Sequence, residues 1–284
     1  MLLSIVCVLA VILAVLLCMC SGAFGSLAWL WVLPVGLIGG VLALAVLVFL
    51  LLWLMCKTVD MDKPQEKDSA FFRNVAHLVV DALLPVLRIR IHTQGLEKLP
   101  GSGRFLLVCN HIHDIDPAVL LTVFRKQQLA FISKRENDQK FIIGPFLHRI
   151  MCQPINREND REALKTILKC IQLIKDDEVS IGVFPEGYTS LDGLLHPFRS
   201  GVFKIAQKAD VPIVVCTVRN TRSALRNAKR LKPTDIHLHL VGVIEPQELK
   251  GVTAVQIGER VHAMMAEDLG PDLVLPAAEN QDTP

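Results

Sequence analysis

The chain has 284 residues and a formal net charge of +2, too small an excess to favour nucleic acid as a partner through bulk electrostatics. The charge is unevenly placed, because residues 1–56 contain no Asp, Glu, Lys, Arg or His. The remainder, about 228 residues, is long enough for one domain with its own hydrophobic core. We therefore expect an apolar N-terminal segment followed by one charged domain.

Two apolar stretches, residues 1–20 and 27–56, fill the N-terminal segment and are separated by the small residues SGAFGS. Each has the length of a membrane span, since a helix needs about 20 apolar residues to cross the hydrocarbon core. Tryptophans bracket the core of the second stretch as interfacial anchors do, at Trp29, Trp31 and Trp53. The pattern predicts two transmembrane helices. The alternative is a signal-like segment before a single span, but no positive residues precede the first stretch.

The segment after the second stretch is rich in basic residues, with Lys57, Lys63, Lys67 and Arg73 close to the predicted span. Because Lys and Arg near a span set its orientation, the following domain is expected on the cytoplasmic side of an integral membrane protein. Residues 57–100 are predicted to form a juxtamembrane linker. It contains an amphipathic helix that starts near Phe71 and ends at Pro85.

A repeated pattern of short apolar strand, polar turn and amphipathic helix begins at Gly101. RFLLVC precedes NHIHDID, MCQPI precedes NREND, and VSIGVF precedes PEGYTS. Two further strands and a last helix over residues 253–267 complete a domain of residues 101–270, followed by a tail of residues 271–284. This order predicts an α/β fold with a mainly parallel sheet flanked by helices. The three polar turns then lie at the carboxyl ends of strands, where function collects in such sheets.

The first polar turn, NHIHDID, places His111 five residues before Asp116. Asp116 precedes a proline and an apolar run, which predicts a helix N-cap at this position. On one continuous helix the two side chains would point about 140° apart, so they can meet only if the chain turns between them. A carboxylate on one ring nitrogen would fix the tautomer of His111 and make the other nitrogen a better base.

A metal site is the competing interpretation of the same turn, with His111 and His113 as an H-x-H pair beside a carboxylate. The downstream histidines offer no convincing further ligands, and the eight cysteines contain no C-x-x-C pair. The sequence therefore predicts no metal and no bound cofactor. A metal-dependent hydrolase remains the alternative function.

The turn NHIHDID also resembles the N-H-x4-D motif of the glycerolipid (lysophosphatidate-type) acyltransferase family, and further blocks of that family follow in the same order. The resemblance covers about residues 70–270. The blocks are FISKRE, GPFLHRIMCQPINRE, VFPEGYTS and PFRSGVFKIAQKADVPIVV. The residues that match the family motifs are Asn110, His111, Asp116, Lys134, Arg157, Glu186 and Gly187.

The resemblance implies an acyltransferase of phospholipid synthesis that works at a membrane. An acyl group would move from a thioester donor, acyl-CoA or acyl-carrier protein, to the hydroxyl of a lysophospholipid, with lysophosphatidate becoming phosphatidate. His111 would be the general base and Asp116 would orient it. Substrate-binding roles are implied for Lys134 and Arg157, which would hold the acceptor phosphate, and for Glu186 and Gly187 in the acceptor site.

The third block departs from the family pattern, which has Thr-Arg-Ser after Glu-Gly where this chain has Tyr188, Thr189 and Ser190. An arginine expected at the phosphate is therefore missing. Either Arg199 or Lys204 compensates from the start of the next helix, or the acceptor has a different head group. A non-catalytic, lipid-binding relative is a further alternative.

A basic run, RNTRSALRNAKRLK, follows the fourth block. Its cations fall at helical spacing with no acidic residue close in sequence, at Arg219, Arg222, Arg226 and Lys229. This pattern predicts either a solvated helix face or a surface for anionic lipid head groups or an acidic acyl carrier.

Overall fold

Two long apolar helices form the N-terminal segment of the computed structural model, which describes residues 2–64 and 67–276. Helix α1 spans Leu2–Cys20 and helix α2 spans Trp29–Lys57. Both are long and apolar enough to cross a membrane, by length and composition. Most of their large aliphatic side chains are exposed, which is the expected state of helices whose outer surface faces lipid.

Small residues bring α1 and α2 together. Ala10 and Ala14, one turn apart on α1, are buried. Gly36 and Gly40 lie opposite them on α2, and a Cβ added to Gly36 would come within 3.3 Å of the Cα of Ala14. Small residues at i and i+4 on both helices allow the close backbone approach that drives helix association in membranes.

Helix α3, Ala70–Val86, confirms the amphipathic helix predicted before Pro85. The hydroxyl of Ser69 caps it by accepting the N–H of Phe72. Arg73 anchors the buried face: its guanidinium pairs with Asp68 at 2.7 Å and donates to backbone carbonyls of the domain, including that of Leu129 at 2.8 Å. The helix therefore packs on the domain.

A seven-stranded sheet forms the centre of the domain. The strands are β1 Ile89–Gln94, β2 Leu106–Cys109, β3 Leu129–Lys134, β4 Gln153–Ile155, β5 Ser180–Val183, β6 Ile213–Arg219 and β7 Thr234–Ile244. Their order across the sheet is β1-β7-β6-β2-β5-β3-β4. Neighbours are parallel except β6 and β7, which are antiparallel. The predicted α/β fold with a mainly parallel sheet is thus confirmed.

The sheet begins earlier in the chain than the sequence indicated. Strand β1 lies inside the segment 57–100 that was predicted as a linker and helix, and it pairs in parallel with β7 from Ile89 onwards. The predicted domain start at residue 101 is therefore too late. Strand β3 was also not predicted, although it lies between β5 and β4 in the sheet.

Six further helices flank the sheet: α4 Asp116–Val123, α5 Ile143–Arg149, α6 Asp160–Lys175, α7 Lys204–Ala209, α8 Ala224–Lys229 and α9 Ala254–Leu269. The longer ones start at capped positions. Asn159 accepts the N–H groups of the first turn of α6, and Thr253 forms a capping box with Gln256 at the start of α9. The whole of β2 is buried, as expected for a central strand covered on both faces.

The basic run does not form one helical stripe, so that prediction is wrong. Arg219 ends β6, Arg222 lies in a 3-10 turn, and only the last two cations lie on α8. Arg219 pairs with Asp268 at 3.4 Å. A carboxylate from a distant helix therefore neutralises a residue that has no acidic neighbour in the sequence.

The predicted tail, residues 271–284, starts with a packed segment. A 3-10 turn covers Pro271–Leu273, and Val274 forms a parallel bridge with Leu195. The N–H of Leu275 donates to the carbonyl of Leu195 at 3.1 Å. Residues 277–284, the rest of that prediction, lie outside the described residues.

Candidate active site

The turn after β2 brings His111 and Asp116 together, as the spacing argument expected. Nδ1 of His111 lies 2.8 Å from Oδ2 of Asp116. The same oxygen accepts the backbone N–H groups of Ile112 and His113, each at 2.8 Å. Because this oxygen acts as an acceptor, the hydrogen of the His111 contact lies on Nδ1. Nε2 is then left as the acceptor nitrogen of the ring.

The predicted N-cap role of Asp116 is wrong. Helix α4 starts at Asp116 itself, Ile115 occupies the cap position, and no side chain caps the first turn. The carboxylate of Asp116 points back into the preceding turn, where it is fully buried and makes the three contacts described above. The side chain therefore holds the imidazole and the turn, and the proline at the first helical turn starts the helix without a cap.

Glu186, from the turn after β5, holds the backbone of His111 in place. Its Oε1 accepts the N–H of His111 at 2.8 Å and its Oε2 accepts the N–H of His196 at 3.2 Å. Burial raises the pKa of Glu186 to about 8. The side chain is 1% exposed. Its contacts therefore position the turn of His111, whereas the family resemblance placed it in the acceptor site.

Two further contacts hold His111, one to its ring and one to its backbone. The ring stacks on Phe184, with centroids 4.2 Å apart. The backbone N–H of Ser190 donates to the carbonyl of His111 at 2.7 Å. Asn110, directly after β2, is tied to the backbone of Val218 on β6, accepting its N–H at 2.7 Å and donating to its carbonyl at 3.0 Å. The turn after β2 is thus held by both neighbouring strands, β5 and β6.

Thr189 occupies the free side of the imidazole. Its Oγ1 lies 3.0 Å from Nε2 of His111, so the hydroxyl donates to that nitrogen. From the sequence, this position was interpreted only as the loss of an arginine. The contact of its hydroxyl with His111 was not predicted. Its neighbour Tyr188 turns towards His196, with ring centroids 5.4 Å apart.

A cavity of about 670 Å³ opens beside His111 and Thr189, a volume typical of small-molecule sites. Much of its wall is apolar, including Phe131, Ile132, Ile143, Leu147, Ile155 and Ile167. Its cationic lining residues are Lys134, Lys140, Arg157 and Arg199. The cavity therefore combines a surface for hydrocarbon with a surface for an anion.

The two arginines lie close enough to affect each other. Burial, and next the charge of Arg199, lower the pKa of Arg157. Among the residues that the structure describes, no carboxylate lies within ion-pair distance of either guanidinium, although Asp114 and Asp160 also line the cavity. The charge of Glu136 also acts on Arg157, but without a direct ion pair the two neighbouring guanidinium groups form a suitable site for a phosphate.

Gly187 makes room for Arg199. Its φ is +84°, and a Cβ at this position would lie 3.0 Å from Cδ of Arg199. The backbone N–H of Arg199 donates to the carbonyl of Pro185 at 2.8 Å, which holds the arginine against the turn after β5. Of the two cations suggested as replacements in the third block, Arg199 lines the cavity, and Lys204 is not among the described lining residues.

The predicted site residues therefore divide into two groups. His111, Lys134, Arg157, Gly187 and Arg199 all line the cavity. Asp116 and Glu186 lie behind it, where they contact the turn of His111. Lys140 is a lining cation that the sequence missed, because it lies outside the blocks that match the family motifs. Within residues 2–64 and 67–276, no group of three or more His, Cys, Asp or Glu side chains is placed to hold a metal ion.

The chain is similar to a set of known acyltransferases. The family model described as Acyltransferase matches residues 90–219. A chloroplastic 1-acyl-sn-glycerol-3-phosphate acyltransferase of Brassica napus is 36% identical over 129 residues, which cover 45% of this chain and 37% of the relative. The enzyme of the same name from Bacillus subtilis is 29% identical over 155 residues, which cover 54% of this chain and 75% of the relative.

Other relatives match over part of their length as well. A probable 1-acyl-sn-glycerol-3-phosphate acyltransferase of Mycoplasma pneumoniae is 29% identical, over 58% of this chain and 62% of the relative. The chain thus spans less than two thirds of the Brassica and Mycoplasma proteins. The crystal structure of the 1-acyl-sn-glycerophosphate (LPA) acyltransferase from Thermotoga maritima has the same fold. Its TM-score is 0.57 at 22% identity, over 69% of this chain and 79% of that one.

Proposed function

Because the chain belongs to the acyltransferase family, we propose that it transfers a fatty acyl group from a thioester donor to the hydroxyl of a lysophospholipid. The observation that carries this proposal is the position of the His111–Asp116 pair at a cavity with both apolar and cationic walls. Such a cavity suits two substrates that carry hydrocarbon chains, one of them with an anionic head group. The reaction needs no metal, because the thioester is already activated.

His111 acts as the general base in this proposal. Its Nε2 removes the proton of the acceptor hydroxyl as that oxygen attacks the carbonyl of the acyl group, and Asp116 stabilises the imidazolium through Nδ1–H. The Thr189 hydroxyl, 3.0 Å from Nε2, supports this role because it marks where an oxygen can lie within hydrogen-bonding distance. An alcohol is a poor nucleophile near neutral pH, and a positioned imidazole contributes roughly 10²–10⁴-fold.

Lysophosphatidate is the acceptor that the cavity and the relatives support best. Arg157 and Arg199 line the cavity, no described carboxylate lies within ion-pair distance of either guanidinium, and a guanidinium fork matches the oxygens of a phosphomonoester. Lys134 and Lys140 add two further cations to the cavity lining. The relatives named above carry the name of 1-acyl-sn-glycerol-3-phosphate acyltransferases, which is the same acceptor class.

A panel of acceptors and donors tests the proposal. Lysophosphatidate, lysophosphatidylglycerol and lysophosphatidylcholine are each combined with acyl-CoA and with acyl-carrier protein, and both the released thiol and the acylated lipid are measured. We expect the highest kcat/KM with lysophosphatidate, and we expect a chelator to leave the rate unchanged. Binding of lysolipid without thiol release would instead indicate a non-catalytic lipid-binding protein. Chelator-sensitive hydrolysis would favour the metal alternative.

We further propose that α1 and α2 anchor the enzyme in the membrane with the domain on the cytoplasmic side. The C-terminal part of α2 reaches the cavity region: Phe49 contacts Phe141 with centroids 6.1 Å apart, and Cys56 Sγ lies 3.7 Å from the carbonyl of Ile142. The next residue, Ile143, lines the cavity. A lysolipid could therefore reach the cavity from the bilayer surface.

Labelling of introduced cysteines tests this orientation. In a background without the exposed Cys7 and Cys20, Asp62→Cys should react with a membrane-impermeant maleimide only after the cell membrane is opened. The matched control, Ser26→Cys in the connection between α1 and α2, should react in intact cells. The reverse pattern would place the domain outside the cytoplasm and contradict the orientation.

A further inference from the structure

Three side chains form a continuous series at the cavity. The hydroxyl of Thr189 donates to Nε2 of His111 at 3.0 Å, and Nδ1 of His111 contacts Oδ2 of Asp116 at 2.8 Å. A hydroxyl, an imidazole and a buried carboxylate in this order of contact are the arrangement that activates a serine or threonine as a nucleophile. Direct transfer between the substrates needs only the second and third members.

We propose that Thr189 is itself an acyl acceptor, so that the acyl group passes through a threonine ester before it reaches the lysolipid. This inference rests on the proposed function, because the donor is taken to be a long-chain acyl thioester. It changes the route of the reaction and leaves the overall products as they are.

The acyl transfer then has two halves. Oγ1 of Thr189 attacks the thioester carbonyl while Nε2 of His111 takes the hydroxyl proton, and the C–S bond then breaks as His111 returns that proton to the departing thiolate. The product is a free thiol and an O-acyl threonine. In the second half, His111 takes the proton of the acceptor hydroxyl, the acceptor oxygen attacks the ester, and the proton goes back to Oγ1 of Thr189.

The surroundings of Thr189 fit this role. Both Thr189 and His111 line the cavity whose apolar wall suits the acyl chain. Among the residues that the structure describes, none accepts a hydrogen bond from the backbone N–H of Tyr188 or Thr189. The N–H of a nucleophilic residue is a frequent donor to the oxyanion of a tetrahedral intermediate, and here it is available.

Substitution by an isostere separates this role from a simple hydrogen bond to the imidazole. Thr189→Val keeps the volume and removes the hydroxyl, and Thr189→Ser keeps the hydroxyl. We expect Thr189→Val to lose at least about 100-fold in kcat, as nucleophile variants do, while Thr189→Ser retains most of it. The matched control is Thr166→Val on α6, whose hydroxyl bonds only the carbonyl of Pro154, and its rate should be unchanged.

Mass spectrometry detects the ester directly. The full-length protein is mixed with palmitoyl-CoA without acceptor, quenched in acid within seconds and measured intact. We expect an adduct of one palmitoyl group that maps to the peptide with Thr189 and is absent from Thr189→Val and His111→Ala. Initial rates with both substrates varied should give parallel double-reciprocal lines, the pattern of a covalent intermediate.

The outcomes distinguish the two proposals. Intersecting lines with no adduct on Thr189 overturn the threonine ester even if Thr189→Val is slow, because the hydroxyl then only orients His111. Rapid acylation of lysophosphatidate in that case leaves the proposed function intact. An adduct on Thr189 without transfer to any lysolipid supports the inference and rejects the proposed function. A wild-type protein that consumes no thioester rejects both.

Discussion

His111→Ala should lower kcat by roughly 10²–10⁴-fold, the range that general-base catalysis by a positioned side chain contributes. The substitution removes the ring whose Nδ1 contacts Asp116 and whose Nε2 faces the cavity. The protein should stay folded, because Glu186 and Ser190 bond the backbone of residue 111 and not its side chain. Thiol release at saturating donor and acceptor gives kcat, and the melting temperature reports folding.

His113→Ala is the matched control. His113 lies in the same turn, its Nδ1 accepts only the N–H of Ile115 at 3.2 Å, and it is not among the described residues that line the cavity. We expect its kcat to stay within about threefold of the wild-type value, because it touches neither the reacting atoms nor the base. Equal losses in both variants, together with inhibition by a chelator, would favour the metal hydrolase. Near-normal turnover of His111→Ala would contradict the assignment of the base.

The main parts of the sheet could be predicted because each buried strand is followed by a polar turn and an amphipathic helix, a local pattern in the chain. Strand β1 lacks that signal: its residues IRIHTQ are largely exposed at the edge of the sheet. Its pairing with β7 joins distant parts of the chain. The antiparallel direction of β7 also depends on long-range pairing, which no local pattern encodes.

The central pair of the site, His111 and Asp116, could also be predicted from a local pattern in the chain. The spacing of His111 and Asp116, with a turn between them and a helix predicted to start after Asp116, indicated that they could meet. The contacts of Glu186 and Thr189 to His111 arise because β2 and β5 are adjacent and in register, with Val108 opposite Val183. The turns that follow the two strands therefore lie side by side. The sequence placed both turns at the same sheet edge, but it could not show which atoms face Nε2.

The third block, where this chain departs from the family pattern, shows the same limit: a sequence motif does not tell which atoms face His111. Comparison with the family motif shows only that an arginine is replaced by Thr189. The structure places the hydroxyl of that residue on the imidazole of His111 and places Arg199 beside Gly187 on the cavity wall. The substitution thus changes the surroundings of His111 and leaves two arginines at the cavity.

Arg157→Ala should raise the KM for lysophosphatidate and leave the donor KM nearly unchanged. Arg157 lines the cavity, and no described carboxylate lies within ion-pair distance of its guanidinium, so the guanidinium can bind a phosphate. A charge-assisted hydrogen bond contributes about 1.5–3 kcal/mol, so the acceptor KM should rise roughly 10- to 150-fold. Initial rates with each substrate varied separately measure both constants.

Arg135→Ala is the matched control for this variant, because Arg135 is exposed, pairs with Glu162 at 3.1 Å and is not among the described lining residues. Its acceptor KM should change by less than about twofold, since exposed ion pairs contribute little. Monoacylglycerol, which has no phosphate, extends the test: if wild type and Arg157→Ala use it equally well, the arginine acts on the phosphate alone. A rise confined to the KM of acyl-CoA would instead assign Arg157 to the phosphates of the donor. The acceptor head group would then have to bind at another cation of the cavity lining, Arg199, Lys134 or Lys140.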